Sequence, residues 1–280
     1  MDKPLATTRR DASALVAAVG QAGVRSQMFS QVGQPYARMA KRIVDSTELG
    51  DLQAVHCDLM FAKGYPGSAD LGRVREEHYP PRGFTFPDAK REIWTTAVYS
   101  LTLIRWLTGL NFESVFATTA NYFFSEHQNR DIEDFGALML TLDGGVTATL
   151  TAARIGWRSH KGSGPNLVRL FGTKDSALID AQGPKFTFSS ASDDWTAPPR
   201  DPQDPMGFWR STQNRAAVSP KPDWHALGLE KPLSDQSMFL DALDSNEEAQ
   251  VSVADGAAAT DALLGAYESA ATREVVRLNE

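Results

Sequence analysis

One segment constrains this chain more than any other: Ile93–Leu107 is apolar almost all round and stops at Gly109. A helix with no polar side must be enclosed by protein on every side. The enclosure can be read downstream, where extended segments follow one another: Phe112–Phe124, Phe135–Leu142, Val146–Ala153, Asn166–Phe171, Ala177–Asp180 and Lys185–Phe188. Asp143-Gly144-Gly145 stands between two of them as a hairpin turn. A run of strands after a helix favours a large, mainly antiparallel sheet, an α+β arrangement.

The first 50 residues read differently. Arg10–Ala22 is an amphipathic helix with Leu15, Val16 and Val19 inward, capped by Thr8 with Asp11 three residues on, and closed by Gly23. Val24–Ser30 reads as a short strand. A second helix starts at Pro35, turns Met39, Ile43 and Val44 inward and ends before Gly50, after which Leu52–Leu59 alternates as a strand. Helix, strand, helix, strand is the order of a wound α/β unit, so a domain boundary is expected near Gly50, dividing residues 1–50 from 51–280. Residues 62–90, punctuated by glycine and proline, form a loop long enough to read as a lid over a site. Pro198–Pro232 reads as irregular, and Asp235–Leu243 and Val253–Ala271 as closing helices, the latter with Leu263, Leu264 and Tyr267 inward.

Charge and composition exclude several classes. With 28 Lys and Arg against 35 Asp and Glu the net charge is −7, and no basic stripe is present, so nucleic acid is not an expected partner. No run reaches the roughly 18 apolar residues of a spanning helix, and the opening ten residues hold no apolar signal core. The chain is expected in the cytoplasm, away from membranes. Cys57 is the one cysteine and reads as a small buried hydrophobe. Glu126, His127, Asp131, Glu133 and Asp134 straddle a turn without regular ligand spacing, so no metal is expected there.

Three groups of residues carry potential chemistry. Thr95, Tyr99 and Thr102, at i, i+4 and i+7, form a polar stripe on the apolar helix; Tyr99 is either a proton-transfer group or a core tyrosine with one hydrogen bond. Arg154, Trp157 and His160 leave a strand end together, a mixture that binds polyhydroxyl or carboxylate ligands, and Lys90 and Arg91 could join it; a solvated hairpin end is the alternative. Lys3, held extended by Pro4, is either a site residue or a loose terminal lysine.

Several of these pieces resemble the Gfo/Idh/MocA oxidoreductases: Asp2-Lys3-Pro4-Leu5-Ala6 ahead of a helix, Leu49-Gly50-Asp51-Leu52 entering a strand, Arg105-Trp106-Leu107-Thr108-Gly109, Leu142–Thr149, Phe171–Ser176 and Phe239-Leu240-Asp241-Ala242-Leu243. Their order covers essentially the whole chain. The resemblance implies an α/β remnant of a dinucleotide-binding Rossmann domain over residues 1–50, then a substrate and oligomerisation domain over 51–280. It implies an NAD- or NADP-dependent oxidoreductase acting on a sugar, polyol or related hydroxyl compound, and a homo-oligomer, dimer or tetramer, formed through the open face of the sheet.

In that family the lysine matching Lys3 contacts the sugar and tunes the acid/base group, and the segment Lys3-Pro4 borders the cofactor. Tyr99 matches the tyrosine found in the glucose-fructose oxidoreductase branch. Thr95 stands where the family carries an aspartate. The Gly-x-Gly-x-x-Gly turn that seats the pyrophosphate has no counterpart here: Gly20-Gln21-Ala22-Gly23 and Gly162-Ser163-Gly164 lack a third glycine. The expectation is a family member lacking the N-terminal part of its Rossmann domain, which binds dinucleotide weakly. The alternative is an inactive ligand-binding or oligomerisation module.

Overall fold

A nine-stranded sheet with one helix buried across it frames the chain. The computed structural model describes residues 1–61, 69–70, 72–84, 90–155, 164–181, 185–190, 222–226 and 231–278. In chain order the elements are α1 (Arg9–Ala22), α2 (Pro35–Asp45), β1 (Leu52–Phe61), α3 (Glu92–Thr108), β2 (Phe112–Ala120), α4 (Ser125–Arg130), β3 (Phe135–Leu142), β4 (Thr147–Arg154), β5 (Asn166–Gly172), β6 (Asp175–Asp180), β7 (Lys185–Ser190), β8 (Pro222–Ala226), α5 (Asp235–Asp244), α6 (Val253–Thr272) and β9 (Val276–Arg277).

The all-round apolar helix is α3, stopped by Gly109 in the left-handed region (φ 69°). From Glu92 to Ile104 every residue is buried except Thr95 and Tyr99. It packs on β1 and β4 on one side and on α6 on the other, with Leu101, Ile104, Leu150 and Tyr267 fully enclosed. Apolar burial stabilises by about 25 cal/mol per Å², so this enclosed layer contributes to holding the fold together.

The strand order is β8-β7-β6-β5-β1-β4-β3-β2-β9. Every neighbouring pair is antiparallel except β1 and β4, which run parallel from Ala54↔Thr147 to Phe61↔Arg154. The sheet is therefore mixed, and the exception has a topological cause: α3, β2 and β3 intervene, a crossover long enough to return the chain in the same direction. The turn Asp143–Gly145 does join β3 to β4, with Gly144 and Gly145 at φ 73° and 80°. The second face of the sheet stays open among the described residues, where Phe116 and Met139 are cross-strand neighbours, both over 40% exposed. On the same face His56 joins Thr149 (Nδ1 to Oγ1, 2.6 Å) and Asp58 (Nε2 to Oδ2, 3.1 Å).

Four sequence expectations need correction. Val24–Ser30 lies outside the nine-stranded sheet; it is extended and bonded to residue 1 instead, Met1 N to Gln27 O at 2.6 Å and Phe29 N to Met1 O at 2.8 Å. Those two bonds have the pattern of a parallel pair, with α1 as the crossover. Residue 1 and Val24–Ser30 thus form two extended segments joined through α1, while β1 belongs to the large sheet. Phe112–Phe124 is not one strand: the buried Asp134 carboxylate accepts from the N–H groups of Tyr122, Phe123 and Phe124 (2.8, 2.9 and 3.1 Å), which turns the chain out of the ladder after Ala120 and into α4.

Of Pro198–Pro232, residues 198–221 and 227–230 lie outside the described ones, and Pro222–Ala226 forms β8 against β7, where the antiparallel ladder outweighs the proline at its first position. Finally, the lid-like segment, of which residues 62–68, 71 and 85–89 lie outside the described ones, is pinned where described: the side chains of Arg75 and Glu77 are 1% exposed, Arg75 donates to Thr119 Oγ1 and Asp131 O, and Arg91 bridges Glu77 to Glu133. No described helix is long and apolar enough to cross a membrane, and no group of three potential metal ligands is found among the described residues.

Candidate functional site

Because β1 and β4 are the one parallel pair, their carboxyl ends open at the same edge of the sheet, the place where α/β folds put their ligands. Ile155 N bonds Phe61 O there (3.0 Å), and the N-terminal turn of α3 lies beside Arg154. Lys3 reaches this edge from the terminal segment, whose Lys3–Pro4 peptide is cis. Its ammonium donates to the Thr95 carbonyl oxygen and stands 4.2 Å above the centre of the Tyr99 ring. The lysine is thus a placed residue, settling the question of a loose terminus.

The electrostatics differ from what the resemblance implies. An ammonium that tunes an acid/base phenol lowers its pKa, yet burial, reinforced by Asp2 and Asp235, pushes the Tyr99 phenol up to about 12. The physical reason is placement: the ammonium faces the ring and bonds a backbone oxygen, and no ion pair forms with the hydroxyl. Lys3 itself is lowered to about 8, chiefly by burial, against the opposing pull of Asp2 and Glu92. Of the two groups, the lysine is the one poised to exchange a proton near neutral pH.

The polar stripe is partly a solvent face. Thr95 bonds back to Arg91 O and Glu92 O (3.2 and 3.4 Å), and Thr102, 1% exposed, bonds to Val98 O and Tyr99 O (2.9 and 3.1 Å). Thr102 therefore satisfies itself within the core, leaving Thr95 and Tyr99 at the site. Phe29 meets Tyr99 edge to face at 6.2 Å, and beyond it opens a cleft of about 640 Å³ lined by Met1, Asp2, Gln27, Phe29, Asp235 and Phe239. Two aromatic walls with a few polar groups suit a small polyhydroxyl or ring ligand.

The remaining sequence candidates part company. Arg91 is interior: its guanidinium lies 2.6 Å from Glu133 Oε2, 3.3 Å from Glu77, and 4.9 Å from the Tyr267 ring centre, with no face toward the cleft. Lys90 is exposed, and its carbonyl lies 3.0 Å from His127 Nε2. Arg154 stays at the site edge, its Nε 2.9 Å from Glu92 Oε1, an approach too oblique to count as a hydrogen bond and so an ion pair only. Trp157 and His160 lie outside the described residues. Sequence reasoning passed over Glu92, 2% exposed on the first turn of α3; an acid opening an otherwise apolar helix was the signal.

The residues do not fit a dinucleotide pyrophosphate. A helix N-terminus binds that group through open backbone N–H groups and a positive dipole. Here the first turns of α1, α3, α5 and α6 carry Asp11, Glu92, Asp235 and Asp255, and α2 begins with proline. No cradle is therefore present among the described residues.

A family model, the GFO/IDH/MocA C-terminal domain, matches residues 37–178, half of the chain. Among solved structures, the chain is similar to an aldose-aldose oxidoreductase from Caulobacter crescentus complexed with glycerol (19% identity, TM-score 0.65, 99% of this chain and 71% of that one). It is similar to an oxidoreductase domain protein from Kribbella flavida (15%, TM-score 0.68, covering 100% and 73%). A third is the WlbA dehydrogenase from Bordetella pertussis, complexed with NADH and UDP-GlcNAcA (16%, TM-score 0.63, covering 100% and 72%). Among curated proteins, none matches the sequence.

Proposed function

The chain belongs to the Gfo/Idh/MocA family, and from that premise we propose that it supplies the substrate-binding and proton-handling half of an oxidoreductase acting on a hydroxyl carbon of a sugar, polyol or related compound. One observation carries the reading: Lys3, lowered to about 8, is held against the Thr95 carbonyl and the Tyr99 ring beside a ligand-sized cleft. Oxidising a carbinol requires a base for its hydroxyl proton, and a lysine lowered to about 8 supplies it through the part of the population in the amine form, which grows as pH rises. Tyr99, kept protonated, donates a hydrogen bond to the same oxygen, and Phe29 and Phe239 offer apolar faces to the ring of a sugar.

A nicotinamide dinucleotide, NAD or NADP, is the cofactor the resemblance implies. Since the described residues hold no pyrophosphate cradle, the chain alone binds it weakly. Residues 1–50 are read as the Rossmann remnant, 51–280 as the substrate domain, and the open sheet face as the surface of a homo-oligomer. The closed helix termini and Thr95 equally favour an inactive binding module. Two measurements separate the readings. Calorimetry with NADH and NADPH should give no binding tighter than about millimolar; low-micromolar affinity refutes the missing cradle. A panel of aldoses, polyols and uronates, followed by reduced-nicotinamide absorbance and by ligand-induced thermal shift, should give hits for at least one class. Thermal shifts without any turnover support the binding module, and no shift at all removes the site.

A further inference from the structure

Glu92, a buried carboxylate at this edge, has no part in the proton handling just described. Glu92 is 2% exposed, yet its Oε1 receives no hydrogen bond of good geometry. Among the described residues, the groups paired with it come from different elements, Arg154 from the end of β4 at 2.9 Å and the His127 imidazole from α4 at 3.6 Å, and Glu92 acts electrostatically on Lys3 of the terminal segment. Asp2 and Lys90 act on Lys3 as well, with opposite signs. A carboxylate buried at a helix start without a hydrogen bond is costly, and nothing in the packing of α3 calls for it.

The neighbouring acid at the same helix start shows what a structural carboxylate looks like. Glu133 accepts from Ile93 N (3.3 Å) and Tyr267 Oη (2.6 Å) and pairs with Arg91, so its oxygens are occupied by capping and packing. Glu92 performs neither task. It stands one helical turn ahead of Thr95, whose carbonyl takes the Lys3 ammonium, so it shares the face of α3 on which Lys3 rests.

We propose that Glu92 is a positioning residue of this site: its carboxylate, anchored by Arg154, holds the Lys3 ammonium at the Thr95 carbonyl and the Tyr99 face, supplying from position 92 the negative charge that Thr95 does not provide. Glu92 thereby sets how readily the Lys3 ammonium gives up its proton to solvent, and the amine so formed takes the proton of the substrate hydroxyl. Arg154 acts through Glu92 in turn, limiting how strongly the carboxylate pulls on Lys3. The inference rests on Lys3 being the proton-handling group, and its test does not depend on turnover.

The full chain is reductively methylated with ¹³C-formaldehyde, the Lys3 signal is assigned by Lys3→Arg, and its titration is followed by NMR. In the unsubstituted protein the midpoint is expected near 8. Glu92→Gln should lower it further, since a nearby opposite charge is removed, and Glu92→Asp should restore most of the difference. Glu92→Gln leaves Arg154 unpaired, so the pair Arg154→Gln and Glu92→Gln/Arg154→Gln keeps the test sound if the single variant fails to fold: the double variant should titrate below Arg154→Gln. A midpoint unchanged in folded Glu92→Gln, or equal in the two Arg154 backgrounds, overturns the proposal. The substrate panel reports separately on the oxidoreductase reading: a shifted midpoint without turnover overturns Lys3 as a proton-transfer group while keeping its coupling to Glu92, and turnover with an unchanged midpoint overturns the coupling alone.

Discussion

Replacing Arg91 by methionine separates a core role from a substrate role more cleanly than any other single change. Methionine keeps much of the apolar bulk and removes the charge. Glu77 would keep Arg75 at 2.6 and 2.8 Å and Thr119 at 3.0 Å, so it stays paired. Glu133, 0% exposed, would keep only Tyr267 Oη at 2.6 Å and Ile93 N at 3.3 Å. Stranding one buried carboxylate by deleting its partner costs about 3–5 kcal/mol. Protonation limits the loss, because burial already pushes Glu133 up and Arg91 is what opposes that push. Without Arg91 the acid takes up a proton, and the cost falls by up to about 1.4 kcal/mol for each pH unit of acidification. Urea unfolding followed by tryptophan fluorescence should therefore show Arg91→Met less stable by about 3–4 kcal/mol at neutral pH, with a smaller deficit in mild acid. Glu133→Gln in the same chain keeps the two hydrogen bonds without the charge and should recover at least about 1 kcal/mol. A deficit under about 1 kcal/mol, independent of pH, would refute the buried network; if ligand binding vanished at unchanged stability, Arg91 would belong to the substrate after all.

Two further outcomes follow from the site and its support. Tyr99→Phe removes a hydroxyl that has no hydrogen-bond partner among the described residues, so melting temperature should hold. Turnover on any substrate found should fall by about 10²–10⁴ if the phenol touches the reacting oxygen, and a fully active variant would return Tyr99 to the core. Acid stability should be two-sided. Glu77 is held below its usual value because Arg75 and Arg91 outweigh its burial, so its contribution is present above about pH 4.5 and is lost as pH falls further. Burial raises Glu133 and Asp134 instead, so their contribution grows as pH falls toward the unfolded carboxyl range. Unfolding midpoints measured against pH should thus hold or rise on mild acidification and drop below about 4.5, and Glu77→Gln should remove that drop; a monotonic decline from neutral pH would contradict the signs.

Periodicity and turn chemistry were enough for the sequence to determine much of the architecture. The all-round apolar pattern identified α3 as buried, Gly109 and Gly23 marked helix ends, and Asp143-Gly144-Gly145 marked the hairpin, because these depend on residues adjacent along the chain. Lys3, Thr95 and Tyr99 were legible as candidates for the same reason: a lysine before proline and a polar stripe on an apolar helix are local irregularities. What local pattern cannot carry is which distant groups meet. Only the tertiary structure turned Arg91 inward onto Glu133, 42 residues away, and made Asp134 the acceptor that ends β2. Only it set Lys3 against the Tyr99 ring, so that burial and Asp2 raise the phenol, and brought Arg154 to Glu92 across the carboxyl end of β4. A charge interacts through space with whatever the fold places near it, and desolvation depends on the whole surrounding surface, so a side chain's partners and pKa are properties of the assembled core.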